Sequence, residues 1–128
     1  MIKLLIIDDS ADLLSALKMF LEKRGFTVNT TSDLRALPDH IKLLNPDLLL
    51  MDIFLSGQDG RDLCRQLKDD ISTKHLCIML FSASPEALKN HTHYGADGFI
   101  EKPFNLKDLI ERINSVHGIY LNKLSEQN

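Results

Sequence analysis

Residues 45–53 read Asn-Pro-Asp-Leu-Leu-Leu-Met-Asp-Ile, and this short segment is the clearest indication of the fold. Asn45-Pro46 favours a turn, because proline pushes the residue before it out of the helical conformation. The apolar run that follows shows no alternation of polar and apolar residues, which is typical of a strand buried on both faces. We therefore predict a strand at Asp47–Met51 that ends at Asp52, in a parallel sheet covered by helices on both sides.

The same combination of a short apolar run and an amphipathic segment occurs four more times along the chain. The other predicted strands are Lys3–Ile7, Phe26–Thr30, Leu76–Phe81 and Asp97–Ile100. Apolar residues at helical spacing predict helices after Ser10 up to Gly25, from near Pro38 to Leu44, over Arg61–Asp69, from Ser84-Pro85 onward, and after Asn105 up to Tyr120. Five strands that alternate with five helices predict an α/β fold, a doubly wound (βα)5 five-stranded parallel sheet.

The composition excludes several classes of protein. The 128 residues suffice for one domain with a hydrophobic core, since 44% of them are hydrophobic. Fifteen basic and eighteen acidic residues give a net charge of −3, which excludes a strongly basic nucleic-acid binder. The longest apolar run, Leu76–Phe81, is too short to cross a membrane. The apolar run Leu4–Ile7 is too short for the core of a signal peptide, so we expect no targeting segment there. We expect a cytoplasmic protein, with Cys64 and Cys77 as buried, reduced thiols.

Polar residues stand where four of the predicted strands end. They are Asp8 and Asp9, Asp52, Ser82 and Lys102. Each has a plain structural explanation when taken alone, as a helix cap, a turn residue or a surface charge. Because ligands bind at the carboxyl ends of the strands in open parallel sheets, the five together indicate a functional site. Clustered carboxylates suit Mg²⁺, and a carboxylate beside Mg²⁺ and an amine is able to act as a nucleophile toward phosphorus.

Five segments together make the sequence resemble the receiver domains of bacterial two-component response regulators, in particular the single-domain chemotaxis receivers. They are Leu-Leu-Ile-Ile-Asp-Asp-Ser at 4–10, Asn-Pro-Asp-Leu-Leu-Leu-Met-Asp-Ile at 45–53, Gly-Gln-Asp-Gly at 57–60, Phe-Ser-Ala at 81–83 and Gly-Ala-Asp-Gly-Phe-Ile-Glu-Lys-Pro-Phe at 95–104. The resemblance implies a flavodoxin-like fold with strand order 2-1-3-4-5. It also implies a receiver domain at residues 1–121, a polar tail at 122–128 that we expect to fray, and no output domain.

The resemblance further implies a function. Asp52 would accept a phosphoryl group from a histidine kinase or a histidine phosphotransfer protein, and a downstream effector protein would respond. Asp8, Asp9, Asp52 and the backbone carbonyl of Phe54 would bind the Mg²⁺ cofactor. Such a protein catalyses its own phosphorylation and dephosphorylation but is not an enzyme that turns over a pool of substrate. We expect neither nucleic acid nor membrane as a direct partner.

The remaining site residues also follow from the resemblance. Lys102 would contact the phosphoryl group, and Ser82 and Phe99 would change position when it arrives. The bond between Lys102 and Pro103 is expected to be cis, and Gly60 is expected to be a structural residue of the loop after the acceptor.

The sequence departs from the family pattern at three places. Ser56 stands where the family usually has proline, which suggests a less rigid loop after the acceptor. The interval from Ser82 to Lys102 is about two residues shorter than usual, and Phe99 has no hydroxyl group to donate a hydrogen bond. Phe54 lies two residues after Asp52, and we hypothesise that its bulk slows hydrolysis by excluding water.

Other functions fit the sequence less well. An aspartyl-phosphate hydrolase would need a carboxylate at position 54, and a flavin phosphate would be repelled by Asp8 and Asp9. A dinucleotide site would need a glycine pattern that is missing. The alternative that stays open is a degenerate receiver that acts as a phosphorylation-independent interaction module. His91 and His93 have a spacing seen in metal sites, but we interpret them as part of a solvated face.

Overall fold

A computed structural model describes residues 1–126 of the chain. A five-stranded sheet forms its centre, and all neighbouring strands are parallel. The strands are β1 (Lys3–Ile7), β2 (Thr27–Thr31), β3 (Leu48–Asp52), β4 (Cys77–Ser82) and β5 (Gly98–Glu101). Their spatial order is β2-β1-β3-β4-β5, which confirms the predicted strand order and fold class.

Helices follow each strand. They are α1 (Ala11–Glu22), α2 (Leu37–Leu44), α3 (Gly60–Asp69), α4 (Pro85–Leu88) and α5 (Leu106–Glu126), with 3-10 turns at Leu34–Ala36 and His91–Tyr94. Ser10 and Ser84 begin helices α1 and α4, because each hydroxyl accepts a hydrogen bond from a backbone N–H of the first turn. None of the helices within residues 1–126 is both long enough and apolar enough to span a membrane.

The sheet separates two hydrophobic cores. On one face, α1 and α5 pack against alternate residues of the central strands, and we call this layer the α1/α5 core. The opposite face is covered by α2, α3 and α4, and we call it the α2/α3/α4 core. The central strands β1, β3 and β4 are therefore buried on both faces, which explains why their sequences are continuously apolar.

Most strands lie one residue further along the chain than the sequence predicted. Phe26 is not in β2, because its backbone N–H donates to the Leu21 carbonyl oxygen and completes the end of α1. Leu76 is not in β4, since its N–H donates to Thr73 within a turn. The strands therefore include their last polar residues: Asp52 ends β3 and Ser82 ends β4. These two site residues are fixed by the hydrogen bonds of the sheet rather than carried on loops.

Helix α5 is longer than the sequence predicted. It continues through residues 122–126, where we expected a frayed tail, and the final two residues of that tail lie outside the described part of the chain. The extension contains neither glycine nor proline, so nothing in it interrupts the backbone hydrogen bonds of the helix. All five of these residues are exposed, so packing does not hold this part of the helix in place.

Candidate functional site at the carboxyl end of the sheet

The five polar residues predicted at the strand ends lie at one edge of the sheet. Asp8 and Asp9 follow β1, and Lys102 follows β5. Backbone hydrogen bonds connect these segments: the Asp8 N–H donates to Thr31, and the Lys102 N–H donates to the Ser82 carbonyl oxygen at 2.8 Å. Asp8, Asp52 and Ser82 are buried, Lys102 is half-buried, and Asp9 is exposed.

The Lys102 ammonium group lies between two carboxylates. Its Nζ is 3.1 Å from Asp8 Oδ2 and 3.2 Å from Asp52 Oδ2. The same atom lies 4.5 Å from the centre of the Phe81 ring, whose π face favours a cation. Three distant parts of the chain therefore meet at one positive charge. When both carboxylates are ionised, Asp8, Asp52 and Lys102 together carry a net charge of one negative unit, because the two carboxylates share a single ammonium group.

Burial raises the pKa of Asp52 above its ordinary value. The neighbouring carboxylate of Asp8 raises it further, while the positive charge of Lys102 and the Phe54 N–H, which donates to Asp52 Oδ1 at 3.2 Å, lower it. Asp52 keeps 8% of its surface exposed, so its carboxylate is not sealed from solvent. Asp52 is thus a partly desolvated carboxylate next to a lysine. These surroundings favour its action as a nucleophile.

The remaining two aspartates of the site have separate partners. Asp8 Oδ1 accepts a hydrogen bond of 2.7 Å from the Ser10 N–H at the start of α1. Asp9 Oδ2 accepts one of 2.6 Å from the Ser56 N–H in the loop after β3. Within the part of the chain that the structure describes, no group of three His, Cys, Asp or Glu side chains is arranged to hold a metal ion.

The loop after β3 is a small hairpin that the sequence analysis missed. Phe54–Leu55 pairs with Gln58–Asp59 in antiparallel fashion, and Gly57 at the tip has a positive φ of 73°. Gly60 follows the hairpin and donates its N–H to the Ile53 carbonyl oxygen at 2.6 Å. A Cβ atom at Gly60 would overlap the backbone carbonyl oxygen of Asp52, so only glycine fits there. Two-residue strands are too short for a hydrophobic pattern, which is why no sequence signal marks them.

Ser82 and Phe99 occupy neighbouring strands but do not share a partner. The Ser82 hydroxyl oxygen accepts a hydrogen bond of 3.1 Å from the Ser84 N–H. The Phe99 ring is half-buried against the α2/α3/α4 core and lies 4.5 Å from the His91 ring, measured between centroids. On α5, Arg112 donates to the Phe99 carbonyl oxygen at 2.7 Å, and its guanidinium lies over the Phe99 ring.

Two of these contacts correct or extend the sequence analysis. We interpreted His91 as part of a solvated face, but it is half-buried and packs on Phe99, with Nδ1 3.2 Å from the Leu88 carbonyl oxygen. This contact arises because α4 has only four residues and a 3-10 turn brings His91 back over the sheet. Arg112 was not predicted, since its role depends on which side of α5 meets β5. The bond between Lys102 and Pro103 is cis.

The family of the chain follows from a comparison with protein families. The model of the response regulator receiver domain matches residues 4–114, which include every residue of the site described above. The chain belongs to the response regulator receiver domain family. Receiver domains are phosphoryl-accepting signalling domains, and the position of Asp52 beside Lys102 in this receiver is consistent with that general role.

Individual relatives support this membership. The receiver is 33% identical over 118 residues to the heme response regulator HssR of Staphylococcus epidermidis, covering 91% of this chain and 51% of that protein. It is 33% identical over 115 residues to the nisin biosynthesis regulatory protein NisR of Lactococcus lactis subsp. lactis, covering 88% and 49% respectively. The chain thus spans about half the length of these curated relatives. The crystal structure of a two-component response regulator from Clostridium difficile superposes with a TM-score of 0.80, at 26% identity, and covers 91% of this chain and 95% of that one.

The chemistry of the donors in this receiver suits the Mg²⁺ ion that the family generally uses, although among the described residues only two of the carboxylates, those of Asp8 and Asp52, lie together. Asp8 and Asp52 are adjacent carboxylates with only one lysine charge between them, so a divalent cation would relieve their repulsion. Carboxylate and backbone carbonyl oxygens are the protein ligands that Mg²⁺ prefers, and it commonly keeps several waters as well.

Proposed function

We propose that this receiver accepts a phosphoryl group on Asp52 from a histidine kinase or a histidine phosphotransfer protein in a Mg²⁺-dependent reaction in the bacterial cytoplasm. The observation that carries the proposal is the Lys102 ammonium group held between the carboxylates of Asp8 and Asp52. The Lys102 ammonium already contacts the Asp52 carboxylate that would attack phosphorus. The same positive charge would therefore lie next to the phosphoryl group after transfer.

The transfer needs Asp52 in its ionised form. One carboxylate oxygen of Asp52 attacks phosphorus, the phosphorus–nitrogen bond of the donor phosphohistidine breaks, and its electron pair returns to the imidazole ring. Lys102 and the backbone N–H groups near Asp52 then face the added negative charge of the phosphoryl oxygens. Asp8, Asp9, Asp52 and the Phe54 carbonyl would hold Mg²⁺. The bound ion would neutralise the negative charge of the phosphoryl oxygens during transfer.

The signal would leave through a change in surface shape. We propose that the Ser82 hydroxyl turns from the Ser84 N–H toward the new phosphoryl group, and that Phe99 moves with it. Phe99 is linked to α4 through His91 and to α5 through Arg112, so its movement would change the surface formed by these elements. An effector protein that binds one of the two surfaces more tightly would read the phosphorylation state.

Phosphorylation by acetyl phosphate tests the proposal without knowledge of the partner kinase. The wild-type chain with Mg²⁺ should gain the mass of one phosphoryl group, and the gain should disappear after chelation of the metal. Asp52→Asn should show no gain. Asp69→Asn, which changes an exposed aspartate at the end of α3, is the matched control and should behave as wild type. A wild-type chain without any gain that depends on Asp52 would instead support the degenerate receiver that acts through contacts alone.

A further inference from the structure

The carboxylate of Asp9 is held by the loop that follows the acceptor strand. Asp9 Oδ2 accepts a hydrogen bond of 2.6 Å from the backbone N–H of Ser56, a residue 47 positions away in the chain. Ser56 lies at the tip of the hairpin formed by Phe54–Leu55 and Gln58–Asp59. The distance is short for an N–H···O bond, as expected when the acceptor is a charged carboxylate.

This hydrogen bond separates Asp9 from the other two acids of the site. Asp8 and Asp52 are buried and share the Lys102 ammonium, whereas Asp9 is exposed and bound to the hairpin. The bond to Oδ2 fixes the orientation of the whole Asp9 carboxylate, so turning the group toward a cation at Asp8 and Asp52 would move Oδ2 away from the Ser56 N–H. The Ser56 N–H and a metal ion at Asp8 and Asp52 therefore compete for the Asp9 carboxylate.

We infer that the Ser56 N–H holds the Asp9 carboxylate away from the metal site, and that Mg²⁺ binds only after this bond is exchanged. The inference rests on the proposed function, because it takes Asp9 as a ligand of Mg²⁺. Ser56 is thus a positioning residue that acts through Asp9, and it weakens the affinity of the resting receiver for Mg²⁺. Since the donor is a backbone group, only a residue without an N–H removes it.

Neither the sign of φ at position 56 nor the conformation of the preceding residue excludes proline there. Among residues 1–126, Asn45 is the only non-glycine residue with a positive φ, so φ at Ser56 is negative as proline requires. Leu55 is in an extended strand, the conformation that a following proline favours. Ser56→Pro therefore removes the donor, and Ser56→Ala, which keeps the N–H but loses the hydroxyl, is the matched control.

Isothermal titration with Mg²⁺ alone, without phosphoryl donor, measures the effect directly. We expect Ser56→Pro to bind Mg²⁺ roughly three- to tenfold more tightly than wild type, the change that corresponds to the net contribution of one ordinary hydrogen bond. Ser56→Ala should bind like wild type. In wild type, the amide resonance of Ser56 should also shift as Mg²⁺ is added, and thermal unfolding of both variants verifies that they are folded.

The possible outcomes separate the inference from the proposed function. Equal or weaker Mg²⁺ binding by folded Ser56→Pro overturns the inference, while acetyl phosphate labelling of Asp52 in wild type would leave the proposed function standing. A Ser56→Ala affinity as high as that of Ser56→Pro also overturns it, because the hydroxyl would then be responsible. If neither wild type nor variants bind Mg²⁺, both the inference and the metal dependence of the proposed function are wrong.

Discussion

The buried carboxylate of Asp52 destabilises the folded receiver as long as it is charged. Burial and the neighbouring Asp8 raise its pKa, so the folded chain holds a proton on Asp52 at a pH where the unfolded chain has lost it. The contribution of this group to stability therefore falls as the pH rises from the unfolded pKa through the folded pKa. The loss of folding free energy caused by ionised Asp52 is complete above the folded pKa. At neutral pH, which is above the pKa of the unfolded chain, this loss is present.

Asp52→Asn should accordingly stabilise the receiver. We expect a gain on the order of 1 kcal/mol in the free energy of unfolding at pH 7, because the amide carries no charge and Lys102 keeps Asp8 as its partner. The gain should be smaller at pH 4 than at pH 7, because the raised pKa lets the folded chain hold more of the proton on Asp52 at the lower pH. Urea unfolding of both proteins at the two pH values measures it, with the exposed Asp69→Asn as control. A gain that shrinks as the pH rises would contradict this account.

Substitutions of Phe54 test whether a single side chain sets the lifetime of the phosphorylated state. Its side chain is 58% exposed although it is large and apolar, and its N–H donates to Asp52. If the ring excludes water from the phosphoryl group, Phe54→Asn should shorten the lifetime roughly tenfold, equivalent to about 1.4 kcal/mol in the barrier to hydrolysis. Phe54→Leu, which stays bulky and apolar, should hydrolyse at nearly the wild-type rate. Loss of phosphoryl mass with time after removal of the donor measures both rates, and an equal or longer lifetime for Phe54→Asn would rule the hypothesis out.

Among the elements, the buried strands were predictable from sequence and the loop after β3 was not. Strands β1, β3 and β4 are buried on both faces, so each leaves an uninterrupted apolar run that ends at a polar residue. That pattern was enough to predict that Asp8, Asp52 and Ser82 lie at one edge of the sheet. The hairpin at residues 54–59 leaves no such pattern, and the Ser56 bond to Asp9 uses a backbone donor that every residue except proline has. Contacts of this kind depend on tertiary placement alone.

The junction between the hairpin and α3 has a strict steric requirement. A Cβ atom at Gly60 would overlap the Asp52 carbonyl oxygen, a backbone atom that cannot turn aside. Gly60→Ala should therefore lower the free energy of unfolding by about 2 to 3 kcal/mol. Gly118→Ala is the matched control within helix α5, where a Cβ meets nothing and alanine should raise stability by about 0.5 to 1 kcal/mol. Urea unfolding compares the two, and a Gly60→Ala protein as stable as wild type would show that the junction is not strictly packed.

In the whole molecule, one sheet supports both cores. Cys64 belongs to the α2/α3/α4 core and Cys77 to the α1/α5 core, so each layer carries one free thiol. Burial raises the pKa of both thiols to about 12, and both side chains are essentially inaccessible in the folded receiver. Because the thiolate is the form that attacks an alkylating reagent, each cysteine should react only when its layer opens.

The two layers should open together. Removing the helices of one face would expose the strands that the other face packs on, and central strands contribute residues to both cores in alternation. We therefore expect Cys64 and Cys77 to react with an alkylating reagent at pH 8 at equal, slow rates, at least roughly a thousandfold below the rate of the unfolded chain, as expected for a domain of ordinary stability. Mass spectrometry of Cys64→Ala and Cys77→Ala follows each remaining thiol separately, with urea-unfolded protein as reference. Faster labelling of one thiol would show that its layer opens independently, and for Cys64 this would identify the face bearing α4 as the less stable half of the receiver.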